Sequence, residues 1–290
     1  MWTILLAMGQ PLEARIHLDR GRALYKPEQH SYLRYRYAGH DPGACCSGVS
    51  AITHWLTGFP DRAQVELGSL RARIDELQHP MTSVILTVSG WVHFRLGELE
   101  SAARLGTELI ASARKHGFHA WAEPAIVLTE LARCTPSSPS ELREMSDRLM
   151  GGKSTRSAKL LMCSILLDIC ADAGDVDVAE ALLKPLLDVQ NTMHRAEFLR
   201  VHGALMLQRA TPDAVAAERS FRNAIEVARE QGAKSFELRA ATSLATLWHE
   251  QGKRNEAREL LGGVYGWFTE GFNTPDLQRA KSLLDDWAIA

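Results

Sequence analysis

Several features that would mark a specialised class of protein are absent from this 290-residue sequence. A dominant charge is missing, because 33 Lys and Arg stand against 35 Asp and Glu and the formal net charge is −2. General nucleic-acid binders present a basic surface, so this balance predicts no nucleic-acid partner. Residues 1–8 are apolar but lack a basic region and a cleavage site, and they are too short to cross a bilayer. We therefore expect no export signal and no membrane partner.

Sequence patterns that indicate chemistry are also scarce. The five cysteines are an odd, widely spaced set, which predicts no disulfide framework and a reducing, cytoplasmic location. The adjacent Cys45 and Cys46 have poor geometry for one tetrahedral site, and no second Cys or His pair follows at ligand spacing. No Gly-x-Ser-x-Gly nucleophile elbow is present. The sequence thus predicts no catalytic residues, no metal site and no cofactor, so we expect the chain not to be an enzyme.

What the sequence does contain is an internal repeat. A glycine followed five residues later by an alanine recurs between apolar stretches of helical period, at Gly9/Ala14, Gly58/Ala63, Gly97/Ala102, Gly174/Ala179 and Gly252/Ala257. Ala217 takes the alanine position without the glycine, and a degenerate copy should centre near Glu141. We interpret each glycine as the C-cap of one helix and each alanine as a close contact between two helices. Each unit is then a helix-turn-helix hairpin of roughly 38 to 40 residues.

The predicted fold is all-α, a right-handed α-solenoid of tetratricopeptide-like helix-turn-helix repeats with about seven hairpin registers and a C-terminal capping helix. One domain covers residues 1–290, with an incomplete first hairpin at 1–25, an insertion at 26–40 and the capping helix at 274–288. The predicted first helices of the hairpins are 41–57, 80–96, 119–133, 154–173, 192–210 and 235–251. The predicted second helices are 11–25, 61–78, 98–116, 139–150, 176–189, 213–231 and 254–268.

In such an array the first helices line a concave surface, where we expect binding to occur. Counting back from each alanine by the usual concave offsets of the repeat gives the binding candidates Trp55, Trp91, Arg95, Glu130, Arg133, Asp168, His202, Arg209, Arg239, Thr242 and His249. Trp and Arg dominate interface hot spots, which favours recognition of a peptide or protein. The alternative is that the tryptophans fill the cores of the hairpins.

Two segments resemble one bacterial family. Residues 233–277 include Ala233-Lys234-Ser235-Phe236-Glu237-Leu238-Arg239 and Val264-Tyr265-Gly266-Trp267-Phe268, and residues 39–46 read Gly39-His40-Asp41-Pro42-Gly43-Ala44-Cys45-Cys46. Both are similar to parts of the long tetratricopeptide array that ends certain multidomain signalling ATPases. In that family an adenylate/guanylate cyclase or winged-helix domain precedes an ATPase module and the array.

The catalytic parts of that family are not visible in this sequence. Residues 151–155, Gly151-Gly152-Lys153-Ser154-Thr155, are the nearest match to a phosphate-binding loop, but Asp147 stands where its first glycine belongs. We therefore expect a polar turn between helices there, and no cyclase or ATPase activity.

Two functions remain open at this point. The first is a non-catalytic module for protein–protein interaction or signal sensing, whose partner is a protein or peptide and could be a cyclase/ATPase relative. The second is a solenoid that senses a small inducer, as in transcriptional-activator-like ATPases. A protein-binding groove should be open and lined by charged side chains, whereas an inducer pocket should be closed and mainly apolar. We also expect self-association or fraying through residues 1–25, because the apolar side chains of a half hairpin have no full partner.

Overall fold

The computed structural model describes residues 1–35, 41–79, 85–133 and 138–289. Within these ranges the chain is all-helical and contains no strand. The described residues form sixteen α-helices and one short 3-10 helix, Ser31–Tyr35. The first eight are α1 (Trp2–Ala7), α2 (Pro11–Leu24), α3 (Pro27–His30), α4 (Pro42–Leu56), α5 (Pro60–Leu77), α6 (Leu86–Arg95), α7 (Leu99–His116) and α8 (His119–Arg133). The others are α9 (Pro139–Gly151), α10 (Arg156–Asp172), α11 (Val176–Leu187), α12 (Arg195–Gln208), α13 (Ala214–Gln231), α14 (Lys234–Glu250), α15 (Arg254–Tyr265) and α16 (Pro275–Ile289).

The glycines of the repeat end helices as predicted. Each of the five adopts a positive φ, between +73° and +86°, which a residue with a side chain rarely takes. At Gly58 the backbone N–H donates to the carbonyl of Trp55, and the following N–H of Phe59 donates to that of His54. The other four glycines repeat this pair of bonds. Because these bonds satisfy the last carbonyls of one helix, the chain can reverse within two or three residues.

The alanines of the repeat lie where two helices approach most closely. All six are fully buried, with 0% of their surface exposed: Ala14, Ala63, Ala102, Ala179, Ala217 and Ala257. A larger side chain at these positions would hold the paired helices apart, so the pattern confirms the predicted role of alanine. In the degenerate copy Glu141 is exposed and the neighbouring Leu142 is buried in the core.

Helix boundaries agree with the prediction to within a few residues, with three differences. The predicted helix 192–210 begins only at Arg195, because 192–194 form a turn. The predicted helix 80–96 is described from Ile85 onward, and its first part lies outside the described residues. The helix predicted at 254–268 ends at Tyr265, next to Gly266. The predicted insertion 26–40 holds α3 and the 3-10 helix, and residues 36–40 lie outside the described part of the chain.

The N-terminal helices α1 and α2 pack against the rest of the molecule. Leu6, Ala14 and Leu18 are buried in the main core, and the N–H of Met193 donates to the carbonyl of Ala7 at 3.3 Å. Other apolar side chains of this hairpin, such as Leu12 and Ile16, remain exposed. Self-association through this segment stays a prediction.

The first helices of the hairpins stack on one another and then meet across the molecule. In order along the chain, α4, α6, α8, α10, α12 and α14 each contact the next, and α14 also contacts α4. The Ser235 hydroxyl donates to the carbonyl of Trp55 at 2.5 Å, although 180 residues separate them. The faces that an open array would present to a partner are therefore covered by other helices of the same chain.

Candidate functional site

Aromatic side chains from three first helices meet at the centre of the molecule. The rings of Trp55 on α4 and Trp91 on α6 pack edge to face with centroids 5.1 Å apart, and Phe236 on α14 packs on Trp55 at 5.4 Å. Trp91 donates its indole N–H to the Ser164 hydroxyl of α10 at 3.0 Å. Both predicted tryptophans are thus nearly fully buried, and they join the two ends of the stack of first helices.

A group of charged side chains adjoins this aromatic centre. We call this charged group the Asp168 cluster. Its members are Arg95, Asp168, Glu197, Arg200, Arg239 and Asp276. Asp168 on α10 accepts from Arg95 at 2.5 Å, from Arg239 at 2.7 Å and from Arg200. Arg239 also bonds Asp276 at 2.5 Å, which ties α14 to α16. Three cations face three anions, so the cluster is neutral overall.

Charge pairing keeps the cluster ionised in spite of its burial. Burial by itself would raise the pKa of Glu197, but the neighbouring charges of Arg200, Arg239 and Arg95 outweigh it and hold that pKa well below its ordinary value. Burial would likewise lower the pKa of Arg239, and the charges of Asp168, Asp276 and Glu197 raise it instead. The cluster therefore joins α6, α10, α12, α14 and α16 by buried ion pairs.

The predicted binding residues divide into two sets. Six of the eleven come together in this interior: Trp55, Trp91, Arg95, Asp168, Arg239 and Thr242. The other five do not join them. Glu130 pairs with Arg148, Arg133 donates to Thr107, His202 bonds Ser220, Arg209 pairs with Glu180, and His249 stacks on Trp287. Trp55, Trp91 and Arg95 are buried there, whereas Arg239 and Thr242 also line a small recess of about 40 Å³.

An apolar pocket lies between α1, α4, α6, α10 and the turn before α12. Its volume is about 150 Å³. Its mouth is beside the exposed residues Thr3, Ala7 and Ser157, and its walls are mainly aliphatic, formed by Leu6, Val49, Ile52, Val88, Leu160, Leu161 and Met193. No charged side chain of the described residues lines it.

His194, which also lines this pocket, is buried without a hydrogen-bond partner for its ring in the described part of the chain. The residue is only 1% exposed, and neither ring nitrogen has a hydrogen-bond partner among the described residues. Its ring packs on Trp91 and Phe198, with centroids 5.8 Å away in each case. Burial, reinforced by the charge of Arg95, lowers the pKa of His194 to about 3, so the imidazole is neutral near pH 7.

Sequence reasoning missed Glu197, Arg200, Asp276 and His194. Glu197 and Arg200 are an i, i+3 pair of opposite charge in a helix that is otherwise largely apolar, and that spacing was an available signal. Asp276 lies in the first turn of the predicted capping helix. His194 fell inside a helix predicted to begin at 192, and no sequence pattern distinguishes a turn histidine that lines a pocket.

Within the described ranges, no three His, Cys, Asp or Glu side chains are grouped so as to hold a metal ion. No helix of the described residues is long and apolar enough to cross a membrane. The geometry offers instead a neutral, mainly apolar recess beside a buried electrostatic network.

Comparisons with known proteins give one distant relative. No family model matches the chain. An uncharacterized protein of Rhizobium meliloti is 23% identical over an alignment of 260 residues, and the match covers 85% of this chain and 25% of the relative. The chain thus spans about a quarter of the length of the curated relative it matches.

Proposed function

We propose that the chain is a right-handed, tetratricopeptide-like superhelix whose first helices line its interior. Regular helix pairs that turn at Gly9, Gly58, Gly97, Gly174 and Gly252 support this architecture. The contacts between successive first helices support it as well, because stacked hairpins of a solenoid touch in this order.

We further infer that this superhelix is a non-catalytic regulatory module that senses a small molecule. One observation carries the inference. The first helices contact one another through Trp55 and Phe236 and leave an apolar pocket. A peptide would instead be expected to bind in an open groove lined by charged side chains. The buried ion pairs of the Asp168 cluster link five helices, so occupancy of the pocket can bias the packing of the whole stack.

The output partner we propose is a catalytic or effector part of a longer signalling protein, in the cytoplasm. The resemblance of residues 39–46 and 233–277 to the arrays of cyclase/ATPase regulators supports this partner. A relative about four times as long as the matched region is compatible with such an architecture.

Retention of a small molecule tests the sensing function directly. We would incubate the purified protein with a bacterial metabolite extract, remove unbound material and record native mass spectra. The spectrum of the wild type should show the added mass of a bound small molecule. Val88→Phe fills the pocket with a larger side chain and should show no added mass. Val65→Phe is the matched control, because Val65 is 70% exposed and does not line the pocket. No retained mass in wild type, or equal retention in Val88→Phe, would contradict the proposal.

Protein binding is a second candidate, favoured by an open groove between α7 and α8. The groove has a volume of about 770 Å³, and charged side chains such as Arg104 and Glu108 stand beside Ala103 and Ala111. Arg104 is an exposed cation. If Arg104 is a hot spot, charge reversal there should reduce the binding free energy of the partner by about 2 kcal/mol. Lys115→Glu on the same helix is the control, and equal effects of the two variants would argue against this groove.

A further inference from the structure

The pocket beside His194 combines two properties that are seldom found together. It is apolar along most of its wall, and it contains a buried imidazole with two unpartnered nitrogens. Buried polar groups in proteins are nearly always hydrogen-bonded, to the protein or to an ordered molecule. An unpartnered histidine at the wall of a pocket therefore indicates a missing partner.

The surroundings of His194 leave the pocket as the direction from which a partner can come. The rings of Trp91 and Phe198 lie with their centroids 5.8 Å from that of His194, and Phe236 lies 6.3 Å away. None of these three side chains accepts or donates a hydrogen bond to the imidazole. A neutral imidazole has one donor and one acceptor nitrogen, so a hydroxyl or a similar neutral group is a suitable match.

The size and charge of the pocket narrow the ligand further. A volume of about 150 Å³ equals that of an engineered protein cavity that binds benzene. The residues that line the pocket include no charged side chain, so a carboxylate or an ammonium group would lose its hydration without a counter-charge. The hydroxyls of Thr3 and Ser157 lie at the mouth, and the hydroxyl of the buried Thr192 accepts from the backbone N–H of His194 at 3.3 Å.

We propose that this pocket binds a small neutral molecule with one ring-sized apolar group and one hydroxyl, and that the His194 ring is the buried hydrogen-bond partner of that hydroxyl. The proposal rests on the sensing function given above and names its ligand class. The Thr3 and Ala7 side of the pocket belongs to α1, so a bound molecule would also contact the N-terminal helix.

Three probes of similar size separate the contributions without any mutation. Phenol has the ring and the hydroxyl, toluene replaces the hydroxyl by a methyl group, and benzoate adds a charge. We would measure their dissociation constants for the full chain by saturation-transfer NMR and confirm them by thermal shift. We expect phenol to bind at least as tightly as toluene, although toluene is the more hydrophobic, and benzoate not to bind. A wall without a hydrogen-bond partner would instead favour toluene over phenol.

Two variants assign the preference to the histidine. His194→Leu should raise the dissociation constant of phenol about tenfold and change that of toluene by less than about threefold, because only phenol loses a hydrogen bond. His202→Leu is the matched control, a half-buried histidine bonded to Ser220 and outside the pocket, and it should leave both constants unchanged. Failure of phenol and toluene to bind wild type at millimolar concentration would overturn the proposal, as would tighter binding of benzoate or a phenol constant unaffected by His194→Leu.

Hydrogen exchange separates failure of the site from failure of the sensing function. Bound phenol should slow amide exchange in α1 and in residues 192–194, which line the pocket. Selective binding of phenol without any change in exchange would support the site and contradict sensing through α1.

Discussion

His194 and the Asp168 cluster show two ways in which this chain keeps polar groups inside. The histidine is buried in the neutral form, whereas the cluster pairs three arginines with three carboxylates. The buried neutral histidine should make the free energy of unfolding depend on pH. The Asp168 cluster should make it sensitive to the loss of any one member of the cluster.

Acid should therefore already weaken the fold between pH 7 and pH 5. The pKa of His194 falls from 6.5 to about 3 on folding, so between these values the unfolded chain binds a proton that the folded chain does not. The free energy of unfolding then decreases as pH falls, by about 2 kcal/mol between pH 7 and pH 5 from this residue. Urea denaturation of wild type and His194→Leu over this range measures the difference.

The expected result is a shallower pH dependence in the variant. The pKa of His54 is also lowered, to about 4, by burial and the nearby Arg15, but this effect is present in both proteins and cancels. Parallel curves for wild type and His194→Leu would show that the buried imidazole does not carry the dependence.

Asp168→Ala should be strongly destabilising. Asp168 accepts from three arginines, and its removal leaves the buried Arg95 without an anion among the described residues, whereas Arg200 and Arg239 keep their pairs with Glu197. Breaking such a buried network costs about 3 to 5 kcal/mol, whereas a surface pair is worth about 1 kcal/mol or less. Glu130→Ala, which removes only the partly exposed pair with Arg148, is the control for the same denaturation experiment. A similar small loss in both variants would mean that the network does not hold the helices together.

At the scale of the helix pair, the turn glycines have different surroundings. A Cβ on Gly174 would meet no atom within 4 Å, but one on Gly58 would lie 2.5 Å from Trp267 and 2.9 Å from the Cβ of Lys234. Both residues have a positive φ, so alanine strains the backbone at each.

Gly174→Ala should thus cost about 1 kcal/mol, the backbone effect alone. Gly58→Ala should cost more, because it also pushes apart the turn after α4 and the start of α14. Thermal unfolding of the two single variants measures the difference. Equal losses would place the contact between α4 and α14 in doubt.

The N-terminal hairpin carries several exposed apolar side chains. Ile4, Met8, Leu12 and Ile16 are all at least 46% exposed. Covering them in a second copy removes apolar area from water at about 25 cal/mol per Å², so the protein should self-associate as its concentration rises. Light scattering over a concentration series should show this for wild type and show a monomer for the double variant Leu12→Glu, Ile16→Glu. A wild-type protein that stays monomeric at millimolar concentration would show that this surface does not drive association.

At the scale of the molecule, the sequence predicted the elements and missed their closure. Turns follow from local chemistry, and the Gly58 and Gly174 patterns therefore located helix ends closely. The meeting of Trp55 with Phe236 depends on small rotations summed over many hairpins, which no local pattern encodes. For the same reason the offsets placed Arg95, Asp168 and Arg239 on one inner face, but they could not show that this face is filled by the chain itself.

Closure of the first helices on one another is tested most directly by small-angle X-ray scattering. A compact chain of this length has a radius of gyration of about 19 Å, whereas an open superhelix is elongated and its radius is larger. We expect the Leu12→Glu, Ile16→Glu variant, chosen to avoid association, to give about 19 Å and a symmetric distance distribution. A radius several ångströms larger, with a long tail in that distribution, would contradict the closed interior and the pocket that depends on it.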